Sequence, residues 1–211
     1  MRSHRPVWLA ALTAVLVAAL ALSFVPGAQA TGKDATTTSS DVLLYGGSTT
    51  VALDPGAGAA LESLGVKVAP VRPAAARKSG ISFPITLGLV SSDTLAGQIR
   101  HGGGLKLSKG DTKVYLTRYF IDIDDTPSLS GLVGVGQKGG DRAELFSLDL
   151  TDLRVEPGKN SIKLSGITLK LTAGDATALN GAFGTTAFTE GLVIGSATVH
   201  ARTITVPEWG W

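Results

Sequence analysis

From residue 41 onward, short runs rich in Val, Ile, Leu, Thr, Tyr and Phe alternate with clusters of Gly, Ser, Asp and Pro almost to the C-terminus. Side chains on a strand point alternately to opposite faces, so runs of this kind read as half-buried strands of a sandwich or barrel. The pattern predicts strands over 41–45, 49–53, 66–71, 81–90, 96–100, 104–108, 112–123, 129–135, 142–150, 153–156, 161–171 and 192–206. The expected fold class is all-β, antiparallel and β-sandwich-like, with two short helices.

Three of these runs change phase. In 112–123, Val114, Leu116 and Phe120 share one face while Tyr119, Ile121 and Ile123 share the other, so the buried face switches near Arg118. In 161–171, Ile162 and Leu164 give way to Ile167, Leu169 and Leu171 across Ser165-Gly166. In 192–206, Ala197, Val199 and Ala201 hand over to Ile204 and Val206. A β-bulge, or a strand passing from one sheet to another, produces such a switch.

Two segments read as helices. The first has Asp54 as N-cap, Pro55 at its first position, apolar Ala57, Ala60, Leu61 and Leu64, and Gly65 as its C-terminal stop. The second opens on Thr172 with Asp175 three residues on, then Ala176, Leu179 and Phe183 before Gly184. Each follows a short apolar run, a pattern compatible with a degenerate repeat of strand, helix and strand and equally with chance at this composition.

The N-terminus has a different pattern. Arg2 and Arg5 precede an apolar stretch from Leu9 to Val25, and Ala28-Gln29-Ala30 forms a small-residue cleavage site, which together predict a signal peptide over 1–30. Residues 31–40 are small and polar without apolar periodicity and read as a flexible leader. The expected organisation is then a single β-rich domain over 41–206 and a Trp-containing tail over 207–211. Removal of Arg2 and Arg5 takes Lys plus Arg from 19 to 17, against 17 Asp plus Glu, so the processed chain is formally neutral. The basic balance of the full sequence belongs to the signal, which argues against nucleic acid or an anionic membrane as a general electrostatic partner. With no Cys in the chain, disulfides and thiolate metal sites are excluded and stability must come from apolar burial. The expected location is secreted, with wall association as an alternative, and no membrane span is expected after cleavage.

Several motifs carry a chemical and a bland reading. Gly134-Val135-Gly136-Gln137-Lys138-Gly139 matches a dinucleotide fingerprint in letters, but the following run alternates like a strand, so it reads as a hairpin loop. His101-Gly102-Gly103-Gly104 resembles an oxyanion-hole segment of lipases and esterases, yet the chain has no G-x-S-x-G elbow. Asp122, Asp124 and Asp125 offer oxygen ligands to calcium or simply form a solvated strand end. His200 alternates with Thr198 and Arg202 on a polar strand face and reads as a surface residue. Trp209 and Trp211 either present indoles to a sugar or protein partner or fold back over the core.

The stretch Leu95 to Leu107, LAGQIRHGGGLKL, followed by a long strand pair and by RAELFSLDL at 142–150, resembles the central hairpins of HtaA-type domains, a family of secreted or wall-attached haem-binding β proteins. The blocks DPGAGAALESLGV and ALNGAFGTTAFTEGLVIGSATV resemble those of uncharacterised secreted proteins of high-GC Gram-positive bacteria. The first resemblance implies haem as ligand, with a Tyr on the iron and a supporting His. His101 falls where the family places a Gly-flanked His. The family's N-terminal aromatic segment with its ligand Tyr has no recognisable counterpart, and Tyr45 in DVLLYGG stands in its position. Tyr115 and Tyr119 are the other candidates, and both point to one face unless a bulge intervenes; their bland role is packing.

The function expected on these grounds is a secreted, non-enzymatic module that binds a ligand or cell-envelope component, with haem as the named candidate. The alternatives are a surface interaction protein without a small-molecule site, acting through Trp209 and Trp211 or a sheet edge, and a secreted hydrolase.

Overall fold

The computed structural model describes residues 40–206; the expected signal peptide over 1–30, the expected leader as far as residue 39, and the expected tail with Trp209 and Trp211 lie outside the described residues. In chain order the elements are β1 (Asp41–Leu53), α1 (Pro55–Ser63), β2 (Lys67–Val71), β3 (Ala75–Arg77), β4 (Gly80–Ser91), β5 (Gly97–His101), β6 (Gly104–Lys109), β7 (Thr112–Ile123), β8 (Ser128–Val135), β9 (Asp141–Asp149), β10 (Arg154–Gly158), β11 (Ser161–Leu171), α2 (Ala173–Phe183) and β12 (Val193–Val206). The two early apolar runs, 41–45 and 49–53, form the single strand β1, bent by a register shift between Leu44 and Gly47.

All strand pairings are antiparallel, and they close on themselves. The order β7-β5-β4-β1-β12-β11-β9-β8 returns to β7 through the pairing of β7 with β8, a ring of eight strands. The two-sheet sandwich expected from the alternation is therefore replaced by one sheet closed into a barrel. Period-two alternation marks an inner and an outer face in either architecture, and only the β7–β8 hydrogen bonds distinguish them. The four short strands β6, β2, β3 and β10 lie off the ring, β6 on β7, β2 on β6, β3 on β4 and β10 on β11.

The bulges sit where two of the phase changes predict them. The β7–β8 register shifts between Thr117 and Phe120, and Arg118 takes a left-handed conformation at φ 53°. Val114 and Leu116 therefore point inward before the bulge, and Tyr119 and Ile121 after it. A left-handed backbone costs a non-Gly residue about 1–2 kcal/mol. On β11 the shift between Leu164 and Ile167 centres on Gly166, at φ 78°. A Cβ there would lie 2.1 Å from the Asp152 carbonyl oxygen, so only Gly fits. The third expected switch does not occur. Ala197, Val199 and Ala201 remain inward on β12, while Ile204 is half exposed on the outside, because the bend at that level is taken by the partner strand β1.

The interior is filled by inward residues of every ring strand. Leu44, Ile99, Leu145, Leu171 and Val199 are almost wholly shielded, each contributing roughly 1.5–3 kcal/mol of burial. Both helices adjoin one end of the barrel, where β1 and β11 finish and β12 begins. Asp54 caps α1 by accepting from the Gly56 and Ala57 amides, and Thr172 caps α2 by accepting from the Asp175 amide. Gly184 ends α2 in a left-handed conformation, as expected. The two helical units are not equivalent: β11 and β12 are paired neighbours, whereas β1 and β2 are not paired.

Gly166→Ala is expected to destabilise the protein by about 2 kcal/mol or more, because backbone must move to admit the methyl. Gly181→Ala, in open space within α2, should instead stabilise by roughly 0.5–1 kcal/mol. Urea denaturation of the two variants checks the pair.

Candidate functional site

β5 and β6 follow one another along the same edge of β7, β5 against 120–123 and β6 against 112–117. On their other edges they diverge, β5 pairing with β4 and β6 with β2. The sheet thus forks at Gly102-Gly103. One branch carries β6 and β2, and the other carries the first half of β4 with β3 on its edge. The loop joining β2 to β3, with Arg72-Pro73 cis, packs against the fork. Gly103 is at φ 85°, and a Cβ on it would come within 2.4 Å of the Ala74 amide nitrogen. This close backbone approach accounts for the glycines after His101. The Gly102 amide donates to the Pro84 carbonyl, so the segment is a strand junction and not an oxyanion hole.

Between the branches a slot of about 260 Å³ reaches into the barrel. Val51 of β1, Val68 of β2, Ile81 and Phe83 of β4, Leu105 of β6 and Ile194 of β12 line it. Only three lining residues carry polar side-chain atoms: Thr49, His101 and Tyr119. An eight-stranded barrel has an interior just wide enough to be filled by side chains or to hold one small ligand, and here side chains fill most of it and leave the slot.

His101, 5 % exposed at the end of β5, shares a hydrogen bond of 2.7 Å between its Nε2 and Thr49 Oγ1. Its Nδ1 is buried without a well-formed hydrogen bond, the Ile99 backbone being the polar group that acts on the ring besides Thr49. Burial lowers its pKa to about 4, opposed weakly by the backbone of Ile99, so the ring is neutral at physiological pH. Tyr119 donates from its hydroxyl to the Leu116 carbonyl at 2.8 Å and packs edge-on to Phe83, with ring centroids 5.3 Å apart. Burial, reinforced by the Asp175 carboxyl, pushes its phenol well above the ordinary range. Asp175, in the first turn of α2, is buried with Oδ2 unpartnered, and burial raises its pKa to about 7.

Of the four candidate ligand residues, the structure brings His101 and Tyr119 to the slot. Tyr45 alternates with the buried Leu44 and is exposed on the outside beside the β1 bend. Tyr115 lies between inward Val114 and Leu116, so it also faces out; the Arg118 bulge separates it from Tyr119. Thr49 carried no signal in the sequence beyond strand alternation, and Asp175 was legible only as a capping residue. Elsewhere, Asp122 accepts from Gln98 and Asp124 accepts from the Thr126 amide, binding the end of β7 to its turn. His200 is exposed on β12, and Gly136 to Gly140 form the β8–β9 hairpin loop.

No protein-family model and no curated protein matches the sequence. Among solved structures, the chain is similar to the C-terminal domain of HtaA from Corynebacterium glutamicum, with a TM-score of 0.59 at 12% identity, covering 77% of this chain and 99% of that one. It is also similar to the haem-binding protein HtaB of the same organism, with a TM-score of 0.50 at 14% identity, covering 79% of this chain and 97% of that one. The resemblance to HtaA-type domains is thus one of fold.

The buried acid and the buried imidazole make opposite demands on pH. His101, depressed to about 4, contributes stability that is complete above its unfolded value of 6.5 and lost as pH falls toward 4. Asp175, raised to about 7, contributes stability complete below 3.8 and lost as pH rises toward 7. Between pH 4 and 6.5 the two largely cancel. Asp175→Asn should unmask a stability that rises with pH in this window, and His101→Gln one that falls, each by on the order of 3 kcal/mol. Denaturant titrations across the window measure both slopes.

Proposed function

We propose that this chain is an exported, non-enzymatic binding module of the cell envelope, whose forked barrel receives a flat, mostly apolar small molecule, with haem as the named candidate. The observation that carries this reading is the apolar slot with a buried, neutral imidazole whose Nδ1 lacks a well-formed hydrogen bond. Small-molecule sites are mostly apolar cavities with a few placed polar groups, and this slot has that composition.

The residues fit haem in part. A neutral imidazole in an apolar wall is a suitable donor to iron, and His101 is the residue that would hold it. When bound, the iron would supply a Lewis-acid centre for that nitrogen. The tyrosinate implied by the resemblance has no source at the slot, because the Tyr119 hydroxyl is spent on Leu116 and its ionisation is suppressed. A slot of about 260 Å³ is just below the roughly 300–1,000 Å³ usual for such sites, so it would enclose only part of a macrocycle. Exclusion of water from the slot and the fixed Thr49–His101 contact are the contributions of this chain's own residues.

A hydrolase is less well supported. Thr49 and His101 form a hydroxyl–imidazole pair, but no carboxylate orients Nδ1, and an imidazole with a pKa near 4 is a poor base at neutral pH.

Titration of residues 31–211 with haemin should give a saturable Soret shift, weakened at least tenfold in His101→Ala and retained in Tyr45→Phe and Tyr115→Phe. Metal-free protoporphyrin, which needs the apolar slot but no axial ligand, should bind wild type and His101→Ala alike. An unshifted haemin spectrum refutes haem as the ligand, and failure of both porphyrins refutes the slot as a macrocycle site.

A further inference from the structure

The outside of the same wall carries a second feature that the slot does not use. Where β5, β7, β8 and β9 lie side by side, Arg100 is opposite Phe120, Phe120 is opposite Ser130, and Arg142 is opposite Leu132 on the next strand. The Arg100 guanidinium lies 5.0 Å and the Arg142 guanidinium 3.8 Å from the centroid of the Phe120 ring. Arg142 is fixed further by donating to Ser130 Oγ at 3.2 Å and to the Arg118 carbonyl at 3.0 Å. Arg100 donates from Nε to Gln98 Oε1 at 3.0 Å, which leaves the outer edge of its guanidinium for another acceptor.

Beside this stack runs a groove of about 720 Å³, walled by Arg72, Arg100, Arg118 and Lys138, with Phe120 and the Gly102-Gly103 backbone in its floor. No Asp or Glu lines it. Among the described residues, none of these four cations, nor Arg142, lies within ion-pair distance of a carboxylate. The nearest acids by register are Asp122, held by Gln98, Glu144, opposite Ser130, and Asp141, opposite Val133; none of them lines the groove. In a chain whose processed form is neutral, such a concentration of one sign is local and not a by-product of net charge.

Arg118 is the second independent observation. It occupies a left-handed bulge position at φ 53°, where Gly or Asn is the ordinary choice, and it is exposed over the groove. The bulge that turns Tyr119 inward leaves the Arg118 side chain on the outer face, beside the groove.

We propose that this groove is an anion site that takes phosphate groups, with Arg100 and Arg118 as the clamp, Arg72 and Lys138 as flanking charges, and Phe120 and Arg142 as the positioning layer. Guanidinium forks match phosphate oxygens in pairs, and stacking on an aromatic ring holds them ready at reduced entropic cost. Four cations along one groove suit a ligand with several phosphates in series better than a single ion.

Isothermal titration at low salt with tripolyphosphate and with inorganic phosphate tests the site. Saturable binding of tripolyphosphate should weaken at least tenfold in the Arg100→Gln/Arg118→Asn double variant, and it should weaken as salt is raised. Tighter binding of tripolyphosphate than of phosphate identifies a serial ligand; equal binding identifies a single-phosphate site. The double variant should melt no lower than wild type, since Asn relieves the bulge, so lost binding cannot be ascribed to unfolding. Ile81→Ala, which alters the slot and lies outside the groove, should bind tripolyphosphate normally, which separates this site from the slot. No saturable heat, an unchanged affinity in the double variant, or an equal loss in Lys113→Gln/Lys159→Gln, which removes the same charge outside the groove, overturns the proposal.

Discussion

Both edges of β7 are hydrogen-bonded, to β5 and β6 on one side and to β8 on the other, and the rest of the structure depends on that double pairing. Without the β7–β8 contact the sheet would be open, with two long edges and no enclosed interior. With it, every inward side chain of the ring faces every other, and a chain without disulfides obtains a dry core. The pairing also creates the fork. β7 spans the full height of the wall, while β5 and β6 share its edge in succession, so the strands beyond them must separate. The slot is the gap left by that separation, and its polar trio is placed by three different strands.

A neutral imidazole in such a place has a thermodynamic cost, since the unfolded chain takes a proton near pH 6.5 that the folded chain refuses until about 4. The Thr49 hydroxyl returns only about 1 kcal/mol of this through one hydrogen bond. Asp175, whose ionisation burial delays to about pH 7, has the opposite dependence. The two groups together flatten the pH response of a barrel that buries both. Perturbed, incompletely bonded buried groups cluster at functional sites, which is the physical ground for the binding reading proposed above.

Much of the fold was legible in the residues because it follows local rules. Alternation located nearly all strands, and the phase changes at Arg118 and Gly166 located bulges that the register shifts bear out. Capping residues marked both helices to within a residue or two. What was not legible is what depends on partners distant in the chain. Closure of the barrel rests on the β7–β8 bonds, which alternation does not encode. The apparent phase change before Ile204 was absorbed by β1, a strand some 150 residues earlier in sequence, as long-range pairing permits. β3 is three residues long and mostly Ala, too short to show a period. His101 was singled out for its glycines, but its partner Thr49 is 52 residues away. The outward faces of Tyr45 and Tyr115 could be read only once the bends on either side of them were placed.

The central claim is that a small molecule enters the barrel at the fork and meets His101. Methyl and imidazole NMR on the labelled protein, titrated with a diamagnetic gallium protoporphyrin, tests it most directly. Ring-current shifts concentrated on Val51, Val68, Ile81, Leu105 and the His101 ring, with Tyr45 and Tyr115 unmoved, are the predicted result. Shifts gathered on the outer face around Tyr45, with the His101 signals unchanged, would contradict it.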